Sequence, residues 1–298
     1  MDIAASKNGR WGLRVFFGAL VLFLYAPLVI LVIFSFNNSI VVSFPLSGFT
    51  LRWYLQFLSN PELIHALKTS VFVASVSSTI TVALAALASV AVVRRRFAAK
   101  SAVSVALLSP LVIPYVVFGI SLEVLFKAVD TVLARTTGYV IGLGVHAIII
   151  GHVVISLPYA ILTLVPRLQR INVAYEEAAR DLGASGVRTF RSITLPLLAP
   201  AILSAFLIAF TVSFDEYAIA SFVAGTDATY PIYLFSQLRV AALFPQLLAL
   251  ATTVLAATLL VVAGAEIGRR VLERRLSVQL AQAGTEEPVA LIPDRIPT

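Results

Sequence analysis

The chain has 298 residues, of which 59% are hydrophobic and only 12% charged, with a mean hydropathy of +0.96. Soluble domains carry about 25% charged residues, so this composition excludes a water-soluble fold and implies an all-α polytopic membrane protein. A net charge of +7 does not point to nucleic acid here, because the basic residues gather at the ends of apolar runs, and the absence of cysteine excludes disulfides and thiolate chemistry.

In chain order, Lys7, Arg10 and Arg14 precede a first apolar run at 15–36. It is about as long as a hydrocarbon core requires and lacks a clear cleavage site, so it reads as an uncleaved membrane helix. The stretch 37–68 is polar and aromatic, and Trp53 and Tyr54 suit an element at the membrane surface. A second span is predicted at 69–93, closed by Arg94, Arg95, Arg96 and Lys100. A third covers 101–122, bent at Pro110 and Pro114, and Lys127, Asp130 and Arg135 then fall in a short external segment that reads as a surface helix.

The fourth span, 139–165, carries His146 and His152. Six residues apart, they do not share a helix face, so they read as packing or hydrogen-bonding groups and no metal site is expected. A fifth span begins near 197 and continues past Asp215 and Glu216 towards 222; a sixth covers 247–265 and is stopped by Arg269, Arg270, Arg274 and Arg275. Residues 1–14 form the N-terminal arm, 15–276 the membrane domain, and the Gln-, Glu- and Pro-rich residues 277–298 read as a disordered tail.

Between spans four and five lies a polar island, 173–196, with Glu176, Glu177, Arg180, Asp181 and Arg188 close together. It reads as a short helix, a stop at Gly183, and a second helix capped by Ser185, with Pro196 opening the next span. Such a helical knob at the water boundary suits insertion into a partner's cleft. With this island inside, the predicted cytoplasmic segments hold 17 of the 22 basic residues, against five outside: Arg52, Lys68, Lys127, Arg135 and Arg239. The positive-inside rule therefore puts both termini and the knob in the cytoplasm.

Catalytic motifs are missing. None of Lys7, Lys68, Lys100 and Lys127 follows a glycine, so there is no GxxxxGK[ST] phosphate loop, and neither HExxH nor GxSxG occurs. No catalytic or metal residue is assigned. The informative ionisable pair is Asp215-Glu216, with Phe214 and Tyr217 beside it. Carboxylates at that depth face a cavity, a partner or a pathway. One reading is an anionic lining for a cationic solute, with the aromatic rings offering cation–π surface. The other is structural, a boundary carboxylate paired with Arg239 or with a second membrane chain. Glu123 and Glu266, also at span ends, are assigned to bundle polarity.

The spacing of the polar island is specific. Glu177-Ala178-Ala179, three residues, Gly183, nine residues, Ile193, one residue, then Leu195-Pro196 resembles the EAA loop of ABC-importer permease subunits. SFDEY followed by ASFVAGTDATYPIYLFSQLR, and FTLRWY near the start, resemble permease subunits of the spermidine/putrescine (PotC/PotI) type, a likeness covering roughly 36–262. The resemblance implies a type I ABC importer permease fold of six membrane helices in the bacterial inner membrane. It also implies translocation of a small cationic solute such as a polyamine, a second permease subunit, two copies of a cytoplasmic ATPase that bind ATP and Mg, and a periplasmic substrate-binding protein. It makes Glu176, Glu177, Ala178, Ala179, Asp181, Gly183 and Ala184 the ATPase-coupling residues, with no cofactor held by this chain. The acidic pair departs from the pattern, since two aspartates are usual there. Related systems for other amines, aminoalkylphosphonates, opines or iron share much of it, so the solute stays open. A stand-alone secondary transporter and a membrane enzyme are the rival classes.

Overall fold

A computed structural model of the chain describes residues 7–238 and 240–285, and every regular element among them is helical. In chain order the helices are α1 (Lys7–Ser35), α2 (Arg52–Leu58), α3 (Pro61–Arg94), α4 (Lys100–Leu108), α5 (Tyr115–Thr137) and α6 (Val145–Arg170). There follow α7 (Ala174–Asp181), α8 (Gly186–Thr189), α9 (Leu195–Phe214), α10 (Ala218–Val223), α11 (Tyr230–Gln237) and α12 (Phe244–Thr285). Among the described residues, five helical stretches are long and apolar enough to cross a membrane: Arg10–Ser35, Pro61–Arg94, Val145–Arg170, Gly186–Phe214 and Phe244–Val271. Among the described residues a sixth crossing is available as the broken pair Lys100–Leu111 and Tyr115–Thr137, whose axes differ by 104°.

That break corrects the third predicted span. Pro110 sits in a single 3₁₀ turn, Ser109–Leu111, and Pro114 immediately precedes α5 with ψ 129°. A proline cannot donate its backbone nitrogen and pushes its predecessor out of the helical region, so two prolines four residues apart end one helix and start another. The external surface helix is also not separate: α5 runs without interruption through Lys127, Asp130 and Arg135 to a left-handed Gly138.

By its contacts the backbone divides into two compact units, one drawn from 1–72 and 224–260, the other from 73–223 and 261–298. In the first, the segment after α1 folds back through an aromatic cluster. Trp53 is buried and its indole nitrogen donates to the carbonyl of Asn37 at 2.8 Å, while Ser35 Oγ and Tyr54 OH lie 2.6 Å apart. Trp53 is therefore a packing residue and not a surface anchor. Within the same unit the backbone nitrogen of Tyr230, at the start of α11, donates to Ser70 Oγ at 2.8 Å, and Asn60 donates to the Tyr233 hydroxyl at 2.8 Å.

In the second unit α6 packs along α9. Their shared core is Ala160, Ile161, Leu164, Leu168, Leu198, Ala201 and Ala205, with Val82, Ala85 and Ala86 from α3. The alanines let the backbones approach closely, which is how helices associate where lipid removes the hydrophobic drive. α10 lies so near α5 and α6 that a Cβ on Gly119 would stand 2.8 Å from Phe222, and one on Gly151 2.7 Å from Ile219.

α1 is different: residues 10–32 are exposed or half-exposed within the chain although almost all are apolar. A helix apolar on every side is a lipid-facing one. At the other end α12 continues through Thr285, and the part of the predicted tail at 286–298, like residues 1–6 of the N-terminal arm, lies outside the described residues.

Candidate functional site

Two polar features interrupt the apolar bundle, and both lie in the second unit. The first is the knob at 174–189. Glu176 and Glu177 sit in the first turn of α7, where the helix dipole favours negative charge. The helix ends as the sequence requires: Gly183 adopts φ +83°, its nitrogen donates to Arg180 O at 2.8 Å, and Ala184 N donates to Ala179 O at 3.0 Å. Ser185 caps α8 by accepting from Arg188 N at 3.4 Å. The second helix is not a short, separate one, however. It passes through a π turn, Phe190–Thr194, directly into α9, so the knob and the fifth span share one continuous helical rod from Gly186 to Phe214.

The predicted coupling residues separate by exposure. Glu177, Ala178, Asp181 and Gly183 are exposed, Ala179 and Ala184 half-buried, and Glu176 only 4% exposed. Glu176 Oε1 accepts from Arg94 Nε at 3.1 Å and from the Thr194 hydroxyl at 3.1 Å, while Arg180 stands 3.9 Å from Oε2. Arg94 also donates to Ile171 O at 3.1 Å. Glu176 is thus an internal anchor of the knob. What the knob offers outward includes two apolar side chains absent from the predicted set: Leu182, 90% exposed, and Val187, 69% exposed.

The second feature is a break in the fifth span. α9 ends at Phe214, and α10 begins at Ala218 instead of continuing the same helix to 222. Glu216 causes the break. Its carboxylate is 5% exposed and accepts from Ile219 N at 2.8 Å and Ala220 N at 3.0 Å, capping α10. His152 on α6 presents Nε2 to Glu216 Oε2 at 3.2 Å, an ion-pair distance with poor hydrogen-bond alignment. Its Nδ1 lies 2.7 Å from Ser213 Oγ, which is 2.9 Å from Ser77 Oγ on α3. His152 and His146 are both hydrogen-bonding residues, as predicted, His146 through a 3.1 Å contact with the Gly142 carbonyl. Among the described residues no three histidine or acidic side chains converge as a metal site would require.

The acidic pair is therefore split. Glu216 is used inside the chain, while Asp215 is exposed, with Tyr217 exposed and Phe214 half-buried beside it. Phe214 stacks on Phe210 with ring centroids 6.0 Å apart. Arg239, the suggested partner of the pair, lies outside the described residues.

A family model described as the binding-protein-dependent transport system inner membrane component matches residues 82–278, which contain both features. The chain belongs to that family. This permease is 39% identical over 237 residues to the putrescine transport system permease protein PotI of Escherichia coli (strain K12), covering 79% of this chain and 82% of that protein. It is 34% identical over 253 residues to the spermidine/putrescine transport system permease protein PotC of the same organism, covering 85% and 91%. The crystal structure of a bacterial ABC transporter involved in the import of the acidic polysaccharide alginate superposes with a TM-score of 0.67 at 16% identity, covering 87% of this chain and 95% of that one. The crystal structure of a bacterial alginate ABC transporter in complex with an alginate pentasaccharide-bound periplasmic protein gives 0.68, also at 16% identity, covering 89% and 96%. At that identity the likeness concerns the fold, which is that of a type I ABC importer permease. The chain is a transport permease of the inner membrane and not an enzyme.

Proposed function

We propose that this permease moves a small cationic solute of the polyamine class, putrescine or spermidine, inward by alternating access driven by partner ATPases. The observation that carries the solute class is Asp215. It is an exposed carboxylate at the break in the fifth span, with Phe214 and Tyr217 close by in the chain, while its neighbour Glu216 is consumed by the α10 cap. A carboxylate and aromatic faces together suit an alkylammonium group. The substrates named for the two Escherichia coli relatives support the same class.

The driving partners are two copies of a cytoplasmic ABC ATPase, which hold ATP and Mg, a second permease subunit, and a periplasmic substrate-binding protein. The ATPases dock on the knob, where Glu177, Asp181, Leu182 and Val187 are exposed around the Gly183 turn. Charge supports a cytoplasmic knob and cytoplasmic termini, since 17 of the 22 basic residues then lie on that side. ATP binding favours the ATPase arrangement that pushes the knob, and its differential affinity for the two states biases the outward- and inward-facing conformations.

The experiment is labelled putrescine and spermidine uptake in cells with the chain present, deleted, or carrying Asp215→Asn, with membrane levels measured in each. Uptake lost on deletion and reduced by Asp215→Asn at equal protein level is the expected result. Uptake indifferent to deletion removes the polyamine assignment and moves it to another small solute.

A further inference from the structure

Four backbone segments converge on one buried carboxylate. Arg94 is the last residue of α3, and the sequence places it in a run of topological charges with Arg95 and Arg96. Those two are exposed; the Arg94 side chain is only 13% exposed and turns inward to Glu176, itself 5% exposed in its side chain. Its second donor closes α6 at the Ile171 carbonyl, and Thr194, at the end of the π turn, donates to the same Glu176 oxygen. A solvated topological charge would make none of these contacts. Once buried, the pair is costly to separate, because breaking it strands an uncompensated charge.

The position of Thr194 gives the arrangement a mechanical meaning. The knob reaches α9 through the π turn Phe190–Thr194, and π turns carry an irregular hydrogen-bond ladder and recur at functional sites. A push on α8 alone reaches α9 through that irregular turn. The Glu176–Thr194 bond bypasses it, joining α7 directly to the entry of α9, and Arg94 extends the joint to α3 and α6.

We propose that Arg94 is a positioning residue for transport: with Thr194 it fixes Glu176, and so the knob, to the ends of the second and fifth spans, making their displacement a single movement. The proposal rests on the docking of an ATPase on the knob. It assigns Arg94, which lies outside the EAA stretch, and Thr194, at an unspecified position within it, to the transmission step.

The test uses the assembled transporter in proteoliposomes, with labelled putrescine as probe and uptake divided by ATP hydrolysed as readout. Coupling free energies between sites correspond to changes of roughly 5- to 150-fold, and Arg94→Gln is expected to lower uptake per ATP by about tenfold. Thr194→Val moves it in the same direction by less, Arg94→Lys falls between, and Arg94→Gln combined with Glu176→Gln is no worse than Arg94→Gln. Unchanged uptake per ATP in both Arg94→Gln and Thr194→Val overturns the proposal. ATPase binding that survives Leu182→Asp removes the docking reading instead, whatever the ratio does.

A second measurement needs neither solute nor the arginine variant. The chain has no cysteine, so spin labels at Ala91→Cys on α3 and Tyr175→Cys on α7, both exposed positions, report one distance in the assembled transporter. The distribution is expected to be narrow and to broaden on Thr194→Val. Equal widths with and without the threonine hydroxyl overturn the proposal.

Discussion

Leu182 provides the sharpest test of knob docking. It follows α7 directly, stands 90% exposed, and precedes the left-handed Gly183. Fully burying a leucine side chain contributes about 1.5–3 kcal/mol, so an ATPase cleft that receives it gains about 2 kcal/mol from this residue. Leu182→Ala removes most of that; Leu182→Asp adds the cost of desolvating a carboxylate. At about 1.4 kcal/mol per decade, the loss is at least about thirtyfold in ATPase affinity. The permease itself should change little, because Leu182 ends α7 through its backbone and not its side chain, and exposed side-chain substitutions change stability by about 0.5 kcal/mol or less. The assay pairs ATPase binding to immobilised permease in nanodiscs with thermal unfolding of the permease alone. Affinity unchanged by Leu182→Asp would refute the reasoning, as would a drop in thermal stability that matches the loss of binding.

Other outcomes follow from the packing. Gly151→Ala places a Cβ 2.7 Å from Ile219 and 3.1 Å from Leu122, and such overpacking costs about 1–3 kcal/mol, read as a lowered unfolding temperature in detergent. Gly183→Val meets no atom within 4 Å, so its cost is conformational alone, about 1–2 kcal/mol for a left-handed residue, and more for a β-branched one. Uptake should fall in that variant and largely survive in Gly183→Asn, because asparagine tolerates the left-handed cap; equal loss in both would shift the explanation away from backbone strain. Glu216→Ala leaves the Ile219 and Ala220 nitrogens without their acceptor at about 1–3 kcal/mol for each unsatisfied group. Quantitative blots of membranes should show Glu216→Ala depleted where Asp215→Asn is not.

Much of the knob was legible because its signals are local. Gly183, Ser185 and Pro196 each act within a few residues, and the spacing from Glu177 to Pro196 is carried by one short stretch. Apolar length likewise located the spans, and the positions of Pro110 and Pro114 announced a bend, although not one of 104°. The fifth-span break was invisible for the opposite reason. Residues on both sides of 215–217 are apolar and helix-compatible, and the carboxylate that ends the helix is held by His152, more than sixty residues earlier. Arg94 misled in the same way, since a basic residue at a span end reads as topology until its buried partner is seen. Leu182 and Val187 resemble core residues in a chain where apolar side chains are the rule, and only their exposure sets them apart.

The Glu216 cap also constrains the order in which the protein can be made. Translation releases His152 before Glu216, so the imidazole that stands beside the carboxylate is already synthesised when it emerges, and the Ile219 and Ala220 nitrogens follow directly. A fragment beginning after α6 would present that carboxylate to lipid with no imidazole beside it, and charged groups in hydrocarbon are costly. The C-terminal part of this permease should therefore insert stably only behind its own N-terminal part or in trans with it.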